Sequence, residues 1–262
     1  MSSQRDWFHE LIVIIAQLRG DNGCPWDRKQ THQSLRRYMI EETAEFLEAL
    51  DVRDYAGMAD ELGDVLLQII LHAQIATEQG HFTAQDIARG ICEKMIRRHP
   101  HVFGQAEVEN AEQVVQQWEQ IKQQERQNPS KSHGILAGVP THLPALHRAY
   151  KIQKKASHIG FDWPDVTGVV AKVYEELEEV QQAMAHQDSQ AVSEEIGDLL
   201  FAVTNLGRFL GHFPEESLHA AIGKFEQRFA HIEASLKQQK KGMEDCSLEE
   251  LEALWQAAKD KQ

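Results

Sequence analysis

Five acids set the problem. Glu41, Glu42 and Glu45 fall within one helical turn and a half, and Glu61 and Asp64 follow at a spacing of three. The same types return 134 residues later as Glu175, Glu176, Glu179, Glu195 and Asp198. Acids three apart lie on one helix face, so two such pairs on adjacent helices would bring four carboxylates together. That many like charges, partly desolvated, are strongly unfavourable unless protonated or neutralised by a cation. Oxygen-only donors favour a hard ion, Mg²⁺ or Mn²⁺, over zinc. The pattern therefore points to metal-assisted chemistry, present in two copies. A repeat of this kind also fixes the architecture.

The elements that must position these acids are helices. Apolar residues recur at helical spacing over residues 7–19, and the chain then predicts helices over about 34–50, 55–77, 84–98 and 111–127. The second half replays the order over about 143–156, 166–184, 189–211, 214–238 and 247–259. Gly20–Asp27 and Gly160–Pro164 are matching turn-rich loops, and His99–Gly104 is a break. Alternating strand patterns are essentially absent. The expectation is an all-α fold of two tandem helical-bundle repeats, residues 1–128 and 135–262, joined by a linker at 129–134 that lacks apolar side chains. On the helical wheel Glu42 and Glu45 fall on the apolar stripe with Leu35, Tyr38, Met39, Phe46 and Ala49, and Glu41 at its margin. On the next helix Glu61, Asp64, Gln68 and His72 form a narrow polar strip in an otherwise apolar surface. Ordinary surface acids lie opposite the apolar stripe; these do not.

Further residues repeat behind the acids. Lys94 and Arg98 match Lys224 and Arg228, while Trp118 and Lys122 match Trp255 and Lys259. Basic residues four apart on one helix face make a two-pronged grip for phosphate oxygens. A Trp one turn before a Lys can stack on a base while the amine meets a phosphate. Taken singly these are ordinary helix-surface features, and their weight comes from recurring behind the same acids.

The formal charge of −14 argues against a nucleic-acid or anionic-membrane partner, both of which need a basic face. Three cysteines, odd in number and not spaced as a metal site, suit a reducing cytoplasmic location. The longest N-terminal apolar run, Leu11–Ala16, is too short for a membrane span or a signal peptide.

The paired EExxE and ExxD patterns resemble those of the all-α nucleoside triphosphate pyrophosphohydrolases. With Gly23-Cys24-Pro25-Trp26-Asp27 and Arg97-Arg98-His99-Pro100-His101-Val102-Phe103, the tandem arrangement resembles the MazG family over almost the whole chain. The resemblance implies Mg²⁺ on Glu42, Glu45, Glu61 and Asp64 in one repeat and on Glu176, Glu179, Glu195 and Asp198 in the other. It implies that Lys224, Arg228, Trp255 and Lys259 face the nucleotide, and Lys94, Arg98, Trp118 and Lys122 are the first-repeat counterparts. It further implies hydrolysis of nucleoside triphosphates to monophosphate and pyrophosphate, broad base tolerance, and a homodimer. Glu41 and Glu175, flanking the ligands, are the candidates for orienting or deprotonating water.

The halves are not identical. Gln68 and His72 become Ala202 and Leu206, Arg97-Arg98-His99 becomes Gln227-Arg228-Phe229, and the second pre-acid loop is about three residues shorter. Both copies keep the acids, so the sequence alone does not say which turns over; the second is taken as the main catalytic site, with the first degenerate in substrate fit or stabilising the assembly. No GxxxxGK[ST] pattern occurs, which argues against a P-loop enzyme. A di-iron bundle needs Glu-x-x-His on two helices; Glu78…His81 and Glu216…His219 have that spacing but sit at non-equivalent places. A nucleotide sensor without turnover is the remaining alternative.

Overall fold

The computed structural model describes residues 5–126 and 134–260. Those residues form helices and loops with no strand among them, the all-α tandem architecture that the repeat predicts. The chain divides into two compact units, Met1–Glu125 and Arg126–Gln262. Of the predicted linker only Gly134 belongs to the described residues.

The first unit contains α1 (Trp7–Arg19), α2 (Pro25–Arg28), α3 (His32–Asp51), α4 (Tyr55–Glu78), α5 (Ala84–Arg98), α6 (Pro100–Phe103) and α7 (Ala111–Arg126). Its centre is a hairpin of α3 and α4, with α1 packed on α4. Ile15, Leu35, Ile70, Leu71 and Ile75 make the buried core, with Leu67 and Tyr38 packed against it. The second unit contains α8 (Ala145–Ser157), α9 (Val166–Ala185), α10 (Ser189–Phe209), α11 (Pro214–Gln239), a 3₁₀ turn (Met243–Asp245) and α12 (Leu248–Lys259). Here α9 and α10 form the hairpin, α8 lies on α10, and α11 packs on α12.

Side-chain caps start the site-bearing helices. Asp54 accepts from the amides of Ala56 and Gly57 at the head of α4, and Asp188 accepts from Gln190 and Ala191 at the head of α10. Each cap precedes its ExxD pair by the same seven residues, so it helps set the register of those acids. Thr31 opens α3 with a reciprocal capping box to Ser34, and Asp165 caps α9.

Two segments expected to be irregular contain single helical turns, α2 inside the Gly-Cys-Pro-Trp loop and α6 inside the His-Pro-His break. Both begin with Pro at the first helical position, where its fixed φ is preorganised and its missing N–H costs nothing. Gly23 is demanded by close approach: a Cβ there would lie 2.2 Å from the Leu18 carbonyl oxygen. Arg19 ties this loop to α4, donating to the Asp27 and Gln30 carbonyls and forming a two-pronged bond with Glu78 at 2.8–2.9 Å. Glu78 is thereby a structural ion-pair partner, and His219 is exposed on α11, so neither Glu-x-x-His spacing builds an iron site. All three cysteines are free thiols. No helix of the described residues is long and apolar enough to cross a membrane.

Candidate functional site

In the first repeat the hairpin of α3 and α4 brings Glu42, Glu45 and Glu61 together, each offering a carboxylate oxygen within 4.8 Å of the others. Glu42 is half-buried, and the Gln68 amide donates to it at 3.4 Å. Its carboxyl is pushed above the ordinary range, chiefly by burial and then by Asp64, Glu45 and Glu41. Glu61 is raised too, by burial first and then by Glu45 and Asp64. Asp64 thus acts on both neighbours electrostatically but is not in the close trio. Glu45 is exposed, more open than its place on the apolar stripe suggests.

The second repeat reproduces the trio with Glu176, Glu179 and Glu195 at the same 4.8 Å limit. Asp198 again stands apart from it, exposed on α10. Glu176 is only 5 % exposed. Burial, followed by Glu176 itself, raises the Glu179 carboxyl. Lys172, one turn earlier on α9, contacts both Glu175 and Glu176 at 2.7 Å, and hydrogen bonds first to Glu175 and then to Glu176 push its ammonium well above its ordinary value. The first-repeat counterpart of Lys172 is Tyr38, which supplies no charge. At this position the second cluster carries a cation and the first does not. Sequence inspection passed over Lys172, although a Lys four residues before Glu176 is a readable ion-pair spacing. In both repeats the all-oxygen donor set suits a hard divalent cation, and burial with neighbouring acids raises the Glu42, Glu61 and Glu179 carboxyls.

The flanking acids differ as well. Glu41 is exposed, whereas Glu175 is exposed but held by Lys172. Among the basic residues, Arg98 grips Glu125 at 2.5 Å, Arg97 reaches the same carboxylate at 2.7 Å, and Glu125 is held down at about 2, chiefly by the Arg98 bond. The Arg98 guanidinium lies 5.8 Å from the Trp118 ring and Lys122 is half-buried on the same helix, while Lys94 is half-buried on α5. In the second repeat Arg228 lies 5.6 Å from the Trp255 ring, which packs on Phe225. Lys224 and Lys259 are exposed. Within each repeat the Arg of the Lys/Arg pair thus meets the Trp of the Trp/Lys pair, an association that the spacing alone did not state. Arg228 stands on α11 and Trp255 on α12, not on the α9–α10 hairpin that carries the acids.

Beside the second cluster lies a cavity of about 710 Å³, bounded by α8, α9, α10 and the Gly160–Trp163 loop. Glu176, Asp198 and Lys172 form its charged margin; Phe161, Trp163 and Phe201 form aromatic wall, and Gln153 and Asn205 are polar lining. Trp163 lies flush on Gly168, where a Cβ would come within 2.5 Å of the indole. Arg208 fastens the loop, donating to Asp162 at 2.5 Å and to Asn205 Oδ1 at 2.8 Å. Gln153 was missed from sequence, though its place on the α8 stripe with Leu146, Ala149 and Ala156 marks it as a polar residue on an inward face.

The fold and these clusters define a tandem helical protein with two carboxylate clusters of one design, each able to hold a metal ion. A family model for the MazG nucleotide pyrophosphohydrolase domain matches residues 30–103 and 166–232, one copy per repeat. The chain is 45% identical over 252 residues to the nucleoside triphosphate pyrophosphohydrolase/pyrophosphatase MazG of Thermotoga maritima, covering 96% of this chain and 95% of that protein. It is 44% identical over 252 residues to the nucleoside triphosphate pyrophosphohydrolase of Escherichia coli K12, covering 95% of each. A Bacillus subtilis protein, YabN, is 48% identical over 257 residues, 97% of this chain and 52% of that protein. The chain belongs to the MazG nucleotide pyrophosphohydrolase family, as its acids led us to expect.

Proposed function

We propose that this protein hydrolyses nucleoside and deoxynucleoside triphosphates to the monophosphate and pyrophosphate, with the second repeat as the working site. The observation that carries this is the close trio of Glu176, Glu179 and Glu195, with Glu176 buried, beside a cavity of nucleoside size. With Asp198 these acids would hold Mg²⁺, Mn²⁺ substituting, and Glu42, Glu45, Glu61 and Asp64 would do so in the first repeat. The ion, when bound, supplies charge neutralisation of the triphosphate and lowers the pKa of water at the site. Glu175 then accepts the proton of the attacking water, Glu41 being its first-repeat counterpart. Lys224, Arg228 and Lys259 meet phosphate oxygens and stabilise charge on the departing pyrophosphate, while Trp255 offers a stacking face. Lys94, Arg98, Trp118 and Lys122 are the corresponding set in the first repeat, where Arg98 is already committed to Glu125.

The active unit is a homodimer of chains built from repeats 1–128 and 135–262. Leu177, Ile196, Leu200 and Val203 leave an apolar face of the α9–α10 hairpin exposed, which supports this assembly. Apolar cavity walls suit broad base tolerance, and the net charge of −14 suits a cytoplasmic role in nucleotide-pool housekeeping without nucleic-acid binding. The test is product analysis on a panel of NTPs and dNTPs with Mg²⁺ in isotopically heavy water. Pyrophosphate appears, and the label enters the monophosphate because attack is at the α-phosphorus. Orthophosphate as the first product overturns the proposal, and tight binding with no product makes the protein a sensor.

A further inference from the structure

Part of the cavity wall in the second repeat is a turn that precedes α8. Ile135 and Leu136 both line the cavity. They sit in a turn closed by the Ala137 amide, which donates to the Gly134 carbonyl at 3.1 Å. Gly134 and Gly138 stand at its two ends with φ of +99° and +79°. A Cβ at either position would meet nothing within 4 Å, so the left-handed backbone calls for glycine there and crowding does not. An ammonium fastens this turn to the helical body. Lys155 Nζ, on α8, donates to the Ala137 carbonyl and reaches the Ile135 carbonyl at 3.5 Å. Hydrogen bonds from a charged donor are the stronger kind.

The first repeat shows the same helix without this fastening. Both α1 and α8 have 13 residues, which puts Gln153 where α1 has Ile15 and Lys155 where it has Gln17. Ile152 and Ala156, which share the cavity lining with Ile135 and Leu136, stand where α1 has Ile14 and Leu18. Ile14 and Leu18 are exposed, whereas Ile152 and Ala156 are partly covered. The turn itself still holds apolar surface in water, for Ile135 and Leu136 are 59 % and 47 % exposed. Apolar side chains that line a cavity in this state gain cover when the cavity is filled.

We propose that residues 134–138 form a strap across the cavity and that Lys155 is its positioning residue. When substrate enters, Ile135 and Leu136 close on it and exclude water, while Lys155 holds the turn in place. The two glycines are the hinges, since left-handed backbone is open to them without strain. The flexible four-carbon stem of Lys155 keeps its ammonium on the carbonyls as the turn moves. This assignment rests on the pyrophosphohydrolase reading of the neighbouring acids, and its test reads the strap directly, without turnover.

Amide hydrogen exchange at Ala137 is measured in the full-length protein, with Mg²⁺ and with or without α,β-methylene-ATP, whose α–β bridge resists hydrolysis. In wild type the analogue slows this exchange about tenfold. In Lys155→Met the amide exchanges about tenfold faster and the analogue binds about tenfold more weakly, the loss of one charge-assisted hydrogen bond. Lys155→Arg keeps donors for both carbonyls and restores exchange and affinity. Gly138→Ala, strained at positive φ, weakens the analogue in the same direction without touching Lys155. Wild-type exchange that ignores the analogue overturns the strap without reference to any variant's folding. An unchanged exchange rate in Lys155→Met overturns the role of Lys155. Pyrophosphate release from ATP by wild type, followed in parallel, separates the two ideas. Release with exchange indifferent to the analogue sinks the strap alone, whereas no release with exchange slowed by the analogue sinks the enzymatic reading alone.

Discussion

Ile15 and Leu71 in the first repeat, and Gln153 and Asn205 in the second, occupy matching positions under matching acids. The first pair closes a core; the second pair borders a cavity. A similar contrast holds at the clusters, where Tyr38 stands at the position that Lys172 takes in the second repeat; in the first repeat Arg97 and Arg98 converge on Glu125. The metal-binding pattern alone therefore does not distinguish a working repeat from a supporting one. On the proposed reading, what distinguishes them is whether the space behind the acids is filled.

The sharpest attempt to break this contrast is a pair of substitutions one repeat apart. Glu176→Gln is expected to lower pyrophosphate release about a thousandfold, since a cation's worth of transition-state stabilisation is several kcal/mol. Glu42→Gln should change it less than about threefold. Equal losses in steady-state assays would show two working sites.

Stability sharpens the contrast from the other side. Leu71→Asn buries an amide in a closed core and should cost about 3 kcal/mol in denaturant unfolding. Asn205→Leu should stay within about 1 kcal/mol, because its site borders a cavity. A reversed order would contradict the equivalence drawn between them.

Lys172→Met removes the ammonium that competes for Glu176. Mn²⁺ should then bind the second repeat about tenfold more tightly, as an uncompensated cluster attracts a cation more strongly. The check is calorimetry on the Glu42→Gln background, which silences the first cluster; unchanged or weaker Mn²⁺ affinity would remove Lys172 from the argument.

A smaller effect concerns pH. Glu42, Glu61 and Glu179 have raised folded-state pKa values. Groups shifted this way stabilise the fold below their unfolded pKa, and that contribution is lost as pH rises through the folded one. Metal-free protein should thus be penalised at neutral pH relative to mildly acid pH, and Mg²⁺ should raise the melting temperature more at pH 7 than at pH 5. Identical Mg²⁺ shifts at the two pH values would count against it. The smallest effect is local: Asp188→Ala, removing the α10 cap, should cost about 1 kcal/mol by the same melt.

Much of this was legible beforehand. The 3.6-residue period located every long helix to within about two residues, since α3, α4, α9 and α10 bury one face along their whole length. The close trios were legible because helical spacing and hairpin pairing are local rules. The α2 and α6 turns were not, for one helical turn is too short to show a period. Asp64 and Asp198 were expected inside the close groups, but the pattern fixes a face and not an ångström. The cavity was the least accessible of all, because it depends on summed side-chain volumes from three helices and a loop. Even so, Gln153 had signalled itself as an amide on an apolar stripe.

The equal lengths of two of the duplicated helix pairs carry a consequence for how such proteins vary between lineages. Both α3 and α9 run 20 residues, and both α1 and α8 run 13, whereas the connecting segments Gly20–Thr31 and His158–Asp165 differ in length. One residue inserted between Glu42 and Glu45, or between Glu176 and Glu179, would swing the second acid by about 100° and scatter the trio. Insertions and deletions in relatives should accordingly gather in those loops, while the helices between caps behave as rulers of fixed length.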